Sequence, residues 1–241
     1  MTAAIHQPNF MPWLGYFHKV AAVDKMIFFD TVALSNGKSW TSRCGILLNR
    51  REHWLTLPIE RKGLSGQHIY TVKLLNFKQN WEKTLATLRH AYGRAPFFKD
   101  VFPYFLSIGS ENFDLLADFN VAFIEETTRR LGFDHVQFLR ASDEPSLLIS
   151  SELKTGYILQ TCQAFGVQHY LAGKGNSLQF LELEKFVDAR ISVDFQQFTQ
   201  SIYRQNTEGE AFVAGLSIVD ALMNLGWTGT ADLLSKQLQK R

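Results

Sequence analysis

The chain lacks most of the features that announce a chemistry. It has only two cysteines, Cys44 and Cys162, far apart and without a CxxC pair. A structural zinc site is therefore not expected, and no metal ligands are assigned. Both thiols read as free in a reducing compartment; Cys44, beside Arg43, is the better candidate nucleophile, and Cys162 reads as helix core. There is no GxGxxG, no Walker A spacing, no GxSxG elbow and no HExxH. These absences remove the standard dinucleotide, P-loop, α/β-hydrolase and zinc-protease readings. No apolar run reaches the roughly 18 residues of a membrane helix. No secretory pattern precedes Ile5, so a cytoplasmic location without a membrane span is expected. Net charge is only +2, with no block of like charge. Bulk nucleic-acid binding is therefore not expected, which leaves open only a local basic groove.

What is present is a chain able to fold. It has 241 residues, 46% of them hydrophobic and 20 of them Phe, enough to build a full core. Ala3 to His6 reads as a buried strand, after which Pro8 and Pro12 enforce a turn. Trp13, Leu14, Phe17, Val20 and Ala21 recur at helical spacing. Lys25 to Asp30 is a second apolar strand ending on a carboxylate. Strand, helix and strand within about thirty residues make a βαβ unit. Ser39 to Asn49, His53 to Ile59 and His68 to Leu75 are rich in β-formers and read as antiparallel hairpins. Helices are expected over Trp81–Tyr92, capped by Asn80, and over Asn112–Leu131. Phe97–Ile108 reads as a connector between them. Further helices are expected over Ser150–Phe165, Leu178–Val187 and Leu216–Leu225, the last stopped by Gly226. His135–Leu139, His169–Ala172 and Ile191–Phe198 complete the strands. The expectation is one α/β domain over 1–241, with a mainly parallel sheet of about five strands flanked by helices. It carries a β-rich insertion at about 35–75 and a helical segment at about 80–132. By fold analogy, the first βαβ unit resembles a Rossmann-like or HUP-type nucleotide-binding half.

In open parallel sheets, ligands bind beyond the C-terminal strand ends. The first end supplies His6, Gln7 and Asn9, and the second supplies Asp30. The later one supplies Gly173, Lys174, Gly175, Asn176 and Ser177. His6 suits acid–base work or phosphate contact; the alternative is a satisfied histidine closing the turn. Asp30 suits a sugar hydroxyl or an amine, or else a capping contact. The glycine turn with Lys174 suits an anion, or else is an ordinary βα turn. Lys38 and Trp40 alternate onto one strand face, where a Trp beside a cation suits a sugar ring or base, and Arg43 points away. The three strand ends are expected to converge, with His6, Asp30 and Lys174 lining one pocket.

The stretch IHQPNFMPWLGYFHKVAAVDKMIFFDTV resembles the opening of the WbqC-like protein family. Further matches are the Trp40–Ile46 region with Arg43, WLTLPI (54–59), AYGRAPFF (91–98), HYLAGKG (169–175) and LSIVDALMNLG (216–226). The resemblance spans nearly the whole chain. It implies a role in bacterial polysaccharide (lipopolysaccharide O-antigen) or natural-product biosynthesis. The implied activity is amide-forming acyl or aminoacyl transfer to an amino group of a nucleotide-activated sugar or small metabolite. The implied site holds His6, Gln7, Asn9, Tyr16, Asp30, Trp40, Arg43 and the Gly173–Gly175 turn, joined by Tyr203. Two departures stand out. Ser177, Leu178 and Gln179 replace a family Tyr, and Gln200-Ser201 replaces a His-Pro that precedes Tyr203 and Gln205. An ATP- and magnesium-using ligase or nucleotidyltransferase, or a non-catalytic sugar-nucleotide binder, would use the same pocket. No cofactor, acyl donor or oligomeric state follows from the residues; the resemblance leaves an aminoacyl-tRNA donor as the one nucleic-acid partner.

Overall fold

The structure is a computed structural model; it describes residues 1–239 except 36, 38, 61, 62, 64, 65, 176–179 and 206–210. Five strands form its centre: β1 (Thr2–His6), β2 (Lys25–Phe28), β5 (Gln137–Arg140), β6 (His169–Ala172) and β7 (Ser192–Phe195). They are all parallel, in the order β5-β2-β1-β6-β7. β1 is central, so its backbone is paired on both sides and its side chains are buried on both faces. This explains why TAAIH has no polar residue between its ends.

Alternation divides the sheet into two faces. Ala4, Met26, Phe28 and Leu171 join the larger apolar cluster, whereas Ala3, Ile5, Ile27, Tyr170 and Ala172 join a smaller one. The larger face is covered by α1 (Leu14–Ala21) and α4 (Leu116–Arg130). The smaller is covered by α6 (Thr155–Ala164) and α7 (Leu183–Asp188). Every residue of α1 is buried, because α8 (Ile218–Leu238) packs on its outer side. Charged or polar side chains in α1 therefore have no route to bulk water except past the strand ends.

β3 (Arg43–Leu48) and β4 (Arg51–Thr56) form an antiparallel hairpin. Its two-residue turn has Asn49 at φ 49° and Arg50 at φ 64°, the twist that suits a hairpin. The third expected β stretch is instead a 3₁₀ turn at Ile69–Thr71, with isolated bridges such as Ala33 with His68 in place of a strand ladder. α2 (Phe77–Tyr92) starts earlier than expected, with Asn76 left-handed at its cap. The Asn80 amide reaches back to the Leu75 carbonyl at 2.6 Å. The expected connector is a helix, α3 (Phe98–Ile108), which contains Pro103. The helix expected from Ser150 begins only at Thr155, as α6, and a separate short helix, α5 (Pro145–Leu148), precedes it. Helix α8 continues past Gly226, which sits at φ 71° and ψ −177°. A Cβ there would lie 2.6 Å from the Phe97 ring, so glycine serves both the kink and the close approach.

Candidate functional site

The strand order reverses between β1 and β6. The chain leaves β1 toward β2 on one side and leaves β6 toward β7 on the other. A crevice opens at such a switch point, beyond the C-terminal ends of the strands. His6 ends β1 there, on the α1 face. Its Nδ1 donates to the Gln7 carbonyl at 3.0 Å, which the Tyr16 hydroxyl also reaches at 3.1 Å. Its ring meets the Tyr16 ring edge-on, with centroids 4.7 Å apart. With Nδ1 carrying the proton, Nε2 holds the free lone pair. Burial, and then the charge of Lys19, lower the His6 pKa to about 3, against a smaller upward pull from the Gln7 carbonyl. The ring is neutral across the physiological range.

Lys19 was not visible as a site residue in the sequence. It sits one helical turn after Tyr16 on α1 and is only 5% exposed. Among the described residues its ammonium makes no hydrogen bond or ion pair. Burial lowers its pKa to about 8, so it remains charged at neutral pH. A Cβ on Gly173, at the end of β6, would lie 3.0 Å from Lys19 Nζ. The cation thus sits at the β1–β6 reversal, within electrostatic reach of His6. A buried charge without a counter-ion is costly, and a bound anion removes that cost. The only sequence signal was a lysine three residues after Tyr16 inside a short helix that is apolar apart from the adjoining His18.

The other expected residues fall into separate groups. The side-chain amides of Gln7 and Asn9 make no hydrogen bond among the described residues, so both remain able to bind a ligand. The loop carrying them is pinned by the buried Asn120, whose Nδ2 donates to the carbonyls of Pro8 and Thr41, each at 2.8 Å. Asp30 is fully buried, and its carboxylate accepts three hydrogen bonds. Arg140 Nε at 2.9 Å, the Ser142 amide at 2.9 Å and the Ser142 hydroxyl at 2.8 Å all donate to it. Arg140 also reaches Asp118 at 2.7 Å. Asp30 is thus committed to holding the end of β5.

Residues 40–42 form a turn rather than strand, so the alternation expected of Trp40 and Arg43 does not apply. Both meet Trp54: the Trp40 ring lies edge-on at 5.0 Å, and the Arg43 guanidinium sits over the ring at 4.1 Å. The Phe10 amide donates to the Trp40 carbonyl at 3.0 Å, so this aromatic pair borders the loop that follows His6. Gly173 lies beside Lys19, while Lys174 is exposed and bonds Gln197. Tyr203 is used elsewhere: its hydroxyl donates to the buried Asp220 at 2.7 Å, alongside Gln205 at 3.0 Å and Tyr92 at 3.1 Å. Lys38, Asn176 and Ser177 lie outside the described residues. Burial raises both thiols, with Cys162 pushed up to about 12, so neither is poised as a nucleophile.

No cluster of three or more His, Cys, Asp or Glu side chains suited to a metal occurs among the described residues. Nor is any described helix long and apolar enough to cross a membrane.

Comparison with known proteins agrees with the opening motif. The chain is 27% identical over 236 residues to the uncharacterized protein Rv1507c of Mycobacterium tuberculosis (strain ATCC 25618 / H37Rv), covering 92% of this chain and 93% of that protein. No solved structure matches significantly. The model of the WbqC-like protein family matches residues 7–232, from the glutamine after His6 to the middle of α8. The chain belongs to the WbqC-like protein family.

Proposed function

We propose that this protein forms an amide by transferring an acyl or aminoacyl group to the amine of a small anionic acceptor, a nucleotide-activated amino sugar fitting best. The single observation that carries this reading is the buried Lys19 ammonium, without a partner among the described residues, at the β1–β6 reversal and within electrostatic reach of His6, whose Nδ1 bond leaves Nε2 open. Lys19 and the Gly173 backbone receive the acceptor's phosphate. Gln7 and Asn9 orient its polar groups, and the Trp40–Trp54 pair flanks a ring. The amine nitrogen attacks the acyl carbon. A C–N bond forms, the bond from that carbon to the donor's thiolate or alkoxide breaks, and the amine proton passes to His6 Nε2 and on to the leaving group. An anion on Lys19 cancels part of the field that weakens His6 as a base, so the histidine gains strength once the acceptor is bound.

The test is thermal unfolding with inorganic phosphate, a nucleoside-diphosphate amino sugar, and ATP with magnesium. It is run on the wild type, Lys19→Met and His6→Gln. The reading expects the sugar nucleotide to stabilise the wild type most, and Lys19→Met to abolish the shift. His6→Gln should keep that shift yet lose on the order of 10²–10⁴ in acyl transfer. A shift that survives Lys19→Met removes the reading. A shift confined to ATP with magnesium transfers the site to a ligase.

A further inference from the structure

The opposite face of the same sheet edge carries a cavity of about 380 Å³. It opens at the end of β2, between that strand end and α5–α6. Phe29, Leu147, Ile158 and Phe180 make its apolar walls. Neither His6, Asp30 nor Lys174 lines it. Even so, the cavity is not remote from the switch point, because the Phe29 amide donates to the His6 carbonyl at 2.8 Å. The Phe29 side chain belongs to the face opposite Lys19, as its partners in the smaller apolar cluster show.

The polar atoms here are already engaged. The Tyr157 hydroxyl lies 2.6 Å from Thr31 Oγ1 and 3.0 Å from the Leu147 carbonyl. His68 Nδ1 donates to the Thr31 carbonyl. Charge occurs only on exposed residues, Glu152 and Lys154, and the Glu152 carboxylate lies over Gly156 in the first turn of α6. The cavity therefore offers contact area without a buried charge. Its volume is at the low end for small-ligand sites, too small for a whole sugar nucleotide. At its mouth Leu148 and Leu153 leave apolar surface exposed, Leu153 at 79%. Next to Leu153, Lys154 holds the strained combination φ 50° and ψ −118°, a conformation that persists only when its surroundings impose it.

We propose that this cavity binds the acyl group of the donor, and that the group is neutral and apolar: aromatic or branched aliphatic rather than acetyl or glycyl. The assignment rests on the transfer reading, which needs a second substrate. It adds that the two substrates approach from opposite faces of the sheet edge, the anionic acceptor over α1 and the apolar donor over α6.

Binding of S-acyl N-acetylcysteamine thioesters carrying acetyl, isovaleryl or phenylacetyl groups tests this. Affinity is read by calorimetry, and the ¹³C-methyl shifts of Leu147 and Ile158 locate the ligand. The bulkier thioesters should bind at least about tenfold more tightly than acetyl and move both methyl signals. Ala33 lines the cavity yet is exposed. Ala33→Phe should therefore fill the space, cost about tenfold in affinity for the phenylacetyl probe and leave the fold intact, with the smaller Ala33→Leu intermediate. Equal affinity for all three acyl groups overturns the proposal, as does undiminished phenylacetyl binding to a folded Ala33→Phe protein. Lys19→Met separates the two claims: thioester binding should persist in it. If thioesters bind as described while phosphate binding proves indifferent to Lys19, the acceptor site fails and the acyl cavity stands.

Discussion

The Lys19 ammonium rests against the backbone of Gly173, 3.0 Å from the point a Cβ at that position would occupy. The contact joins a helix on one side of the strand reversal to a turn on the other. The group nearest that point is the flexible end of the Lys19 side chain rather than backbone, so an added methyl displaces the cation without breaking the fold. Gly173→Ala should therefore unfold with the wild type and bind a phosphate-bearing ligand about tenfold more weakly, by calorimetry.

On the proposed reading, Lys19 stabilises the complex with an anion and burdens the free protein. Its burial lowers its pKa to about 8, which is the signature of a charge held at a cost. Lys19→Met keeps the stem and removes the charge. Urea denaturation at neutral pH without ligand should find the variant more stable by about 1–3 kcal/mol. A less stable variant would mean that the ammonium has a favourable partner.

Two groups give stability a defined pH dependence. The folded chain keeps His6 neutral down to about pH 3, whereas an unfolded histidine takes its proton near 6.5. Between those values the unfolded state binds more protons, so stability falls as the pH falls from 6.5 toward 3. His6→Gln should flatten that part of the profile. For Lys19 the window runs from about 8 to the ordinary value near 10.4. There too the unfolded state binds more protons, and stability should rise with pH. Lys19→Met removes that rise. Urea midpoints and slopes measured at each pH read both effects, with a limiting slope of ~1.4 kcal/mol per pH unit for one proton.

Asp30 offers the contrast. Its carboxylate accepts from Arg140 and from both donors of Ser142 while itself fully buried. Asp30→Asn should leave Arg140 underpaired and cost about 2–4 kcal/mol in chemical denaturation, with phosphate affinity unchanged in the folded fraction. Loss of ligand binding without loss of stability would restore it to the site.

The N-terminal βαβ unit and the strand His169–Ala172 were legible because period and punctuation agreed there: apolar runs, two prolines and a glycine turn. Other elements were not. Pro103 reads as a breaker, yet α3 buries Val101, Phe102, Tyr104 and Phe105 around it, and packing outweighs one lost backbone bond. Gly226 reads as a stop, yet α8 kinks and continues because Phe97 packs against it. The position of His6 at the end of the first strand was legible from the apolar run that stops at it. Lys19 was missed because a lysine in a short helix is normally solvated, and only α8 packing over α1 removes that solvent. Tyr203 looked like a binding residue in its motif, but its partner, Asp220, is a long-range contact that spacing does not reveal.

The placement of β1 also governs how the chain must be assembled. Its register with β6 pairs Thr2 with His169, residues separated by most of the polypeptide. The sheet cannot close at its midpoint until that distant segment has been synthesised. Until then the apolar TAAIH segment has one unpaired edge, a template for adventitious pairing with another nascent chain. The strand reversal that brings His6, Lys19 and Gly173 near one another is therefore among the last parts of the molecule to acquire its shape, and interruption of synthesis before β6 should yield aggregation-prone chains with no trace of phosphate binding.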